Sequence, residues 1–177
     1  MSEQGDNVAS IASPTTARPN LFDRIVTDRG LGVGAGIMLM VVAVAVARGH
    51  SEWSRISWHV WAHLATMATA LALTPAMLWR RKATRSHRVL GWIWASAMVI
   101  TAALSFLIRD SNHGSLSVIH ILSAYVLIQV PWLVWRARNH QVAQHRRGVR
   151  GIVFGALLIA GFFTFPFDRL LGHWLFS

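Results

Sequence analysis

Four histidines recur at matching steps along the chain. His63 is followed by Pro75, Trp79-Arg80 and His87-Arg88, and His120 by Pro131, Trp135-Arg136 and His145-Arg146. The steps are 12, 4 and 8 residues in the first copy and 11, 4 and 10 in the second. A neutral imidazole inside a helical bundle is a ligand for haem iron, and two facing imidazoles fill both axial positions, which suits electron transfer over oxygen binding. His63 and His120 would then hold one haem b, and His87 and His145 a second. Gly91 lies one turn after His87, and Gly148 and Gly155 follow His145. Glycine there would let a flat macrocycle approach the backbone. Arg88, Arg146 and Arg150 could pair with propionates.

Each position also admits a cofactor-free role. His87 and His145 sit at the ends of uncharged runs, where an imidazole can touch lipid headgroups. His63 could bond to His120, Ser117 or Ser123 as a polar contact between helices. His59, four residues before His63, could join His63 and His120 in a three-histidine metal site. His50, His113, His140 and His173 fall at loops or interfaces. There is no plausible Ser/His/Asp set and no soluble domain for a nucleotide. No uncharged run holds an Asp or Glu, which argues against proton pumping by intramembrane carboxylates.

The elements that must carry these residues follow from the spacing of charge. Uncharged runs cover 30–47, 56–79, 89–108, 111–135 and 151–167, lengths of 18, 24, 20, 25 and 17 residues. An apolar helix of roughly 17–25 residues crosses a bilayer. The expected fold is therefore all-α: a polytopic membrane protein with five transmembrane helices at about 30–47, 57–80, 88–108, 114–136 and 147–167. A β-barrel would alternate apolar and polar residues over short segments, which these runs do not. The absence of Cys excludes disulfides, thiolate metal sites, iron–sulfur clusters and covalently attached c-type haem.

Helices 2–3 and 4–5 would share one topology, so the repeat implies a two-fold pseudo-axis along the membrane normal. Helices 2–5 would form a pseudo-symmetric four-helix bundle with helix 1 peripheral. Such an axis preserves depth, placing His63 level with His120 and His87 level with His145. Pro75 and Pro131 should bend their helices.

Thirteen of the 17 basic residues lie in the N-terminal segment, 80–88 and 136–150. The positive-inside bias puts the N-terminus in the cytoplasm and the C-terminus outside. Trp53, Trp58, Trp61 and Trp174 near one side, and Trp79, Trp92, Trp94, Trp132 and Trp135 near the other, read as two aromatic belts. The basic residues flank apolar runs rather than forming one stripe, so a net charge of +10 does not imply nucleic-acid binding. Residues 1–17 are polar and small, a disordered cytoplasmic tail, and no cleavable leader is expected. Residues 18–29 suit an interfacial helix capped by Asn20, ahead of the transmembrane domain at 30–177. Gly32 and Gly36 offer a smooth face for helix packing.

His63, Thr74-Pro75, Ser86-His87-Arg88-Val-Leu90-Gly91-Trp92, Ile119-His120, His145-Arg146 and Phe163-Thr-Phe-Pro-Phe-Asp168-Arg169 resemble a family of bacterial inner-membrane proteins defined only as a domain of unknown function. The resemblance covers about residues 57–170 and implies a bacterial plasma membrane location. The placing of His63, His87, His120 and His145 on helices 2, 3, 4 and 5 is also similar to the two-haem transmembrane b-type cytochromes. That similarity implies one haem between helices 2 and 4 and another between helices 3 and 5. The expected function is electron carriage across the membrane, an oxidoreductase-type role, with the lipid bilayer and an unidentified donor and acceptor as partners. The alternative is a cofactor-free structural, assembly or small-solute transport protein.

Overall fold

The computed structural model describes residues 26–108, 118–166 and 169–177. Among these the chain is helical, with no strand. Helix α1 spans Asp28–Arg48 and runs on through a 3-10 segment, Gly49–Arg55. Helices α2 (Trp58–Trp79), α3 (Arg85–Ser105) and α4 (Val118–Arg138) follow. Helix α5 begins as Val142–Ile152, widens into a π-helical stretch at Val153–Ile159, and closes with one α-turn, Ala160–Phe162. Short α6, Leu170–Phe176, ends the chain. Among the described residues, three helical segments are long and apolar enough to cross a membrane: Asp28–Arg55, Trp58–Trp79 and Arg85–Ser105.

Local chemistry fixes the helix starts. The Thr27 hydroxyl accepts the Gly30 N–H at 3.1 Å, and the Thr84 hydroxyl accepts the His87 N–H at 3.2 Å, each satisfying an N–H that the helix leaves open. Asp28 in the first turn of α1 and Arg48 in its last complement the helix dipole. Helices α3 and α5 begin three and five residues earlier than the uncharged runs imply. Arg85 and Arg88 in the first turn of α3, and Arg146 and Arg147 in the second turn of α5, are all exposed. The charge-free run marks the apolar part of a helix, not its whole length. Pro75 and Pro131 lie inside α2 and α4. Both tight connections at this end contain one residue in the left-handed region, Ala83 (φ 66°) and His140 (φ 58°).

The helices form a closed ring. Helix α1 packs on α2, α2 on α3, α3 on α4 and α4 on α5, and the π-helical stretch of α5 returns to α1. Helix α1 is thus a full member of the ring rather than a peripheral addition, with Leu31 and Ala35 buried in the main core beside Leu71, Trp94, Val130 and Leu157. The outer wall is apolar. Val33, Ile37, Met40 and Val44 form an exposed stripe along α1, and Ile121, Tyr125, Ile128, Trp132 and Trp135 one along α4. Helical periodicity that turns its apolar side outward suits a lipid solvent, not water.

Two expected belt residues lie inside instead. Trp94 is buried and its indole N–H donates to the Thr74 hydroxyl at 3.0 Å. Trp174 of α6 is buried over Gly49, donates to Glu52 Oε2 at 2.8 Å, and lies 6.5 Å from the Trp61 ring. Position near a helix end could not separate a lipid-facing indole from one turned inward. The glycine face also differs from expectation. A side chain at Gly32 would meet the Trp79 indole, its Cβ 2.6 Å from Nε1, whereas at Gly36 it would meet nothing within 4 Å. Gly32→Leu should therefore cost about 1–3 kcal/mol by overpacking, while Gly36→Leu should stay near wild type. Thermal unfolding of both variants in detergent checks this contrast.

The proposed tail, 1–17, and most of the interfacial segment, 18–25 with Asn20, lie outside the described residues, as do Asp110, His113 and Asp168. Thr27, Asp28 and Arg29 belong to the start of α1 itself.

Candidate functional site: two histidine levels

At the end of the ring opposite the basic connections, His63 of α2 directs Nδ1 to the Thr101 carbonyl of α3 at 3.1 Å. A carbonyl can only accept, so Nδ1 carries the proton and Nε2 of the neutral ring keeps its lone pair. The Thr101 hydroxyl donates to Thr66 at 2.7 Å. His120 of α4 is buried, its ring 5.4 Å from Phe106. One turn on, Ser123 accepts from Ser105 of α3. The two histidines therefore approach α3 from α2 and α4. Each is followed three residues later by a hydroxyl bonded to α3, at Thr101 and Ser105 respectively. Those contacts are four residues apart, about 6 Å along the helix. The hydroxyls one turn on from the two histidines are thus staggered by one turn, where equal depth would set them level.

At the basic end, His145 of α5 directs Nδ1 to the Leu133 carbonyl of α4 at 3.0 Å, which fixes the same tautomer. His87 stands in the first turn of α3 at the same end. Its Nδ1 is buried with no hydrogen-bond partner among the described residues. Arg136 caps the Trp132 ring at 4.8 Å, and its Nε is also buried without a partner there. Arg136 comes close to Gly148, one turn from His145. Leu133 fills the space over Gly148, and Met77 touches the corresponding side of Gly91 at 3.6 Å from a built Cβ. Close helix packing thus accounts for Gly148, whereas the contact at Gly91 is an ordinary van der Waals distance. Gly155 has nothing within 4 Å of a built Cβ.

The basic end is tied together by a residue to which the spacing of charge gave no role. Asp28 binds Lys82 at 2.7 Å and Arg150 at 2.7 Å, and Arg146 at 3.0 Å, joining α1 to the α2–α3 connection and to α5. Arg146 and Arg150, expected at propionates, are engaged there. The one available signal was composition: among the described residues of that basic end, Asp28 is the one acid.

The three-histidine site is not assembled. His59 bonds Ser57 through Nε2 at 3.0 Å, and the described residues contain no group of three or more His, Cys, Asp or Glu placed to hold a metal ion. His50 and His140 are exposed, and His173 lies 3.9 Å from Glu52. Spacing also missed the polar ladder along α3. Trp94, Thr101 and Ser105 bond to Thr74, Thr66 and Ser123, and single Ser and Thr residues give no periodic signal in an apolar run. A side chain that bonds across helices in apolar surroundings fixes their register.

Comparison with protein-family models, with curated proteins and with solved structures finds no match to this chain.

Proposed function

We propose that this chain is a five-span protein of the bacterial plasma membrane, N-terminus cytoplasmic, that carries electrons across the bilayer through two bis-histidine b-type haems. His63 and His120 ligate one, and His87 and His145 the other. The outward apolar stripe of α4 supports counting it among the spans, and α5 completes the ring around the same interior. The basic connections support the orientation.

The observation that carries the haem reading is the tautomer of one histidine at each level. His63 and His145 both give Nδ1–H to a backbone carbonyl of a neighbouring helix and so present Nε2 as a ligand. A ligating histidine ordinarily has its second nitrogen held in this way. A haem with two imidazoles supplies a one-electron carrier with no open coordination position. The chain's own contribution would be to orient four rings, exclude water with Leu71, Val130 and Trp94, and hold α2 and α4 against α3 through the hydroxyl pairs.

One observation favours the cofactor-free alternative, a structural, assembly or small-solute transport protein. Leu133 already occupies the space beside Gly148 that a macrocycle near His145 would need. Absorbance separates the two readings. Protein purified from haem-sufficient cells should show a Soret band and a reduced α band. His63→Ala and His145→Ala should each remove about half of the haem, one of two bis-histidine sites, as read by a pyridine-haemochrome assay. A colourless wild-type preparation would sink the cytochrome reading and leave the membrane assignment standing.

A further inference from the structure

The junction of α1 and α2 at the basic end forms a cleft of about 490 Å³ lined by Asp28, Arg29, Val33, Leu78 and Trp79. Its composition is divided by depth. Val33 (51% exposed) and Trp79 (56% exposed) make an apolar wall that opens outward, and buried Leu78 completes the lining. Arg29 stands at the mouth, exposed, with no ion pair among the described residues. Asp28 in the same cleft does not leave it acidic. Lys82, Arg146 and Arg150 all converge on that one carboxylate, so the cluster retains a positive surplus. Arg80 and Arg81, both exposed, follow Trp79 directly.

We infer that this cleft seats one anionic phospholipid, with its phosphate on Arg29 and an acyl chain along Val33, Leu78 and Trp79. Charge complementarity selects the headgroup, because a basic pocket between transmembrane helices attracts anionic lipid. The apolar wall selects a lipid over a free anion. Trp79 links the seat to the fold, since its indole also covers Gly32 of α1. A lipid in the cleft would brace the same α1–α2 contact. The inference depends on the membrane reading and is independent of haem.

Native mass spectrometry of the full chain in detergent tests it. The protein is mixed with equal amounts of phosphatidylglycerol and phosphatidylcholine carrying the same acyl chains. The expected result is one retained phosphatidylglycerol in clear preference to phosphatidylcholine. Arg29→Gln should lower phosphatidylglycerol retention about fivefold, the contribution of one cation near an anionic lipid, and leave phosphatidylcholine unchanged. Val33→Trp, which fills the wall from an exposed position, should lower both. Excess inorganic phosphate should leave the lipid in place. Equal retention of the two lipids by the wild type, or an unchanged preference in Arg29→Gln, would overturn the seat, as would displacement by phosphate. Failure of the membrane reading would show separately, as protein recovered without detergent.

Discussion

Trp174→Ala should lower stability by about 3–5 kcal/mol, the usual cost of deleting a fully buried aromatic side chain. Trp174 is 2% exposed, and it fills the space over Gly49 where α1 turns into its 3-10 extension. Its N–H also satisfies Glu52, which stands 3.9 Å from His173. Removing the ring leaves a cavity against Trp61, Leu64 and Leu171 and takes away a hydrogen bond at once. Trp174→Phe should cost less, because it keeps most of the apolar volume and loses only the N–H. Thermal unfolding in detergent reads both effects. A cysteine introduced at Ser177 should become faster to label in Trp174→Ala, because α6 is then held mainly by Leu171 and by the bond from Arg48 to the Ser177 carbonyl at 2.8 Å. Unchanged labelling together with unchanged melting would mean that α6 does not dock through this residue.

Asp28→Asn should be the most damaging change at the opposite end, costing about 2 kcal/mol. A charge-assisted hydrogen bond is worth about 1.5–3 kcal/mol, and exposed partners are discounted. The partners divide accordingly. Arg150 and Asp28 are 13% and 14% exposed, whereas Lys82 and Arg146 are 44% and 53% exposed. Arg150→Gln should therefore reproduce most of the loss, and Lys82→Gln or Arg146→Gln little of it. Raising the salt concentration should weaken the Lys82 contact more than the Arg150 contact, because solvent-exposed charges are screened most. The check is melting temperature across the four variants at low and high salt. Equal shifts for all three cation variants would contradict the assignment of the central bond to Arg150.

Much of the helical layout was legible because charge is rare in this chain. Five uncharged runs correspond to five rods, and Pro75 and Pro131 fall inside α2 and α4. Helix ends were less legible. Thr84 starts α3 by capping His87, and arginines can belong to a first turn while pointing into water. Rotational phase was the least legible quantity. Trp94 and Trp174 look like their lipid-facing counterparts in sequence, and Gly36 looks like Gly32, yet each faces the other way. In a lipid-embedded helix both sides are apolar, so hydropathy carries little phase information. At the candidate site, spacing located His63 and His145 but not the carbonyls of Thr101 and Leu133 that orient them. Backbone acceptors on a neighbouring helix have no residue-type signature. A weak signal did exist at the other level of detail: His63 and His120 are each followed three residues later by a hydroxyl, Thr66 and Ser123.

The wide turn of α5 at Val153–Ile159 bears on how this polypeptide tolerates changes in length. A π-helical stretch is an α-helix carrying a surplus residue. Everything beyond it, including Gly161 where it meets Met38 of α1, stands one place later in sequence than an unbroken α-helix would put it. Excising one residue from 153–159 would return the coil to α pitch and leave Gly161 facing Met38, with both halves of the rod keeping their facing. Deletions in α5 thus divide at this point: one before it turns the histidine against the rest of the rod, whereas one within it is absorbed by the change of pitch.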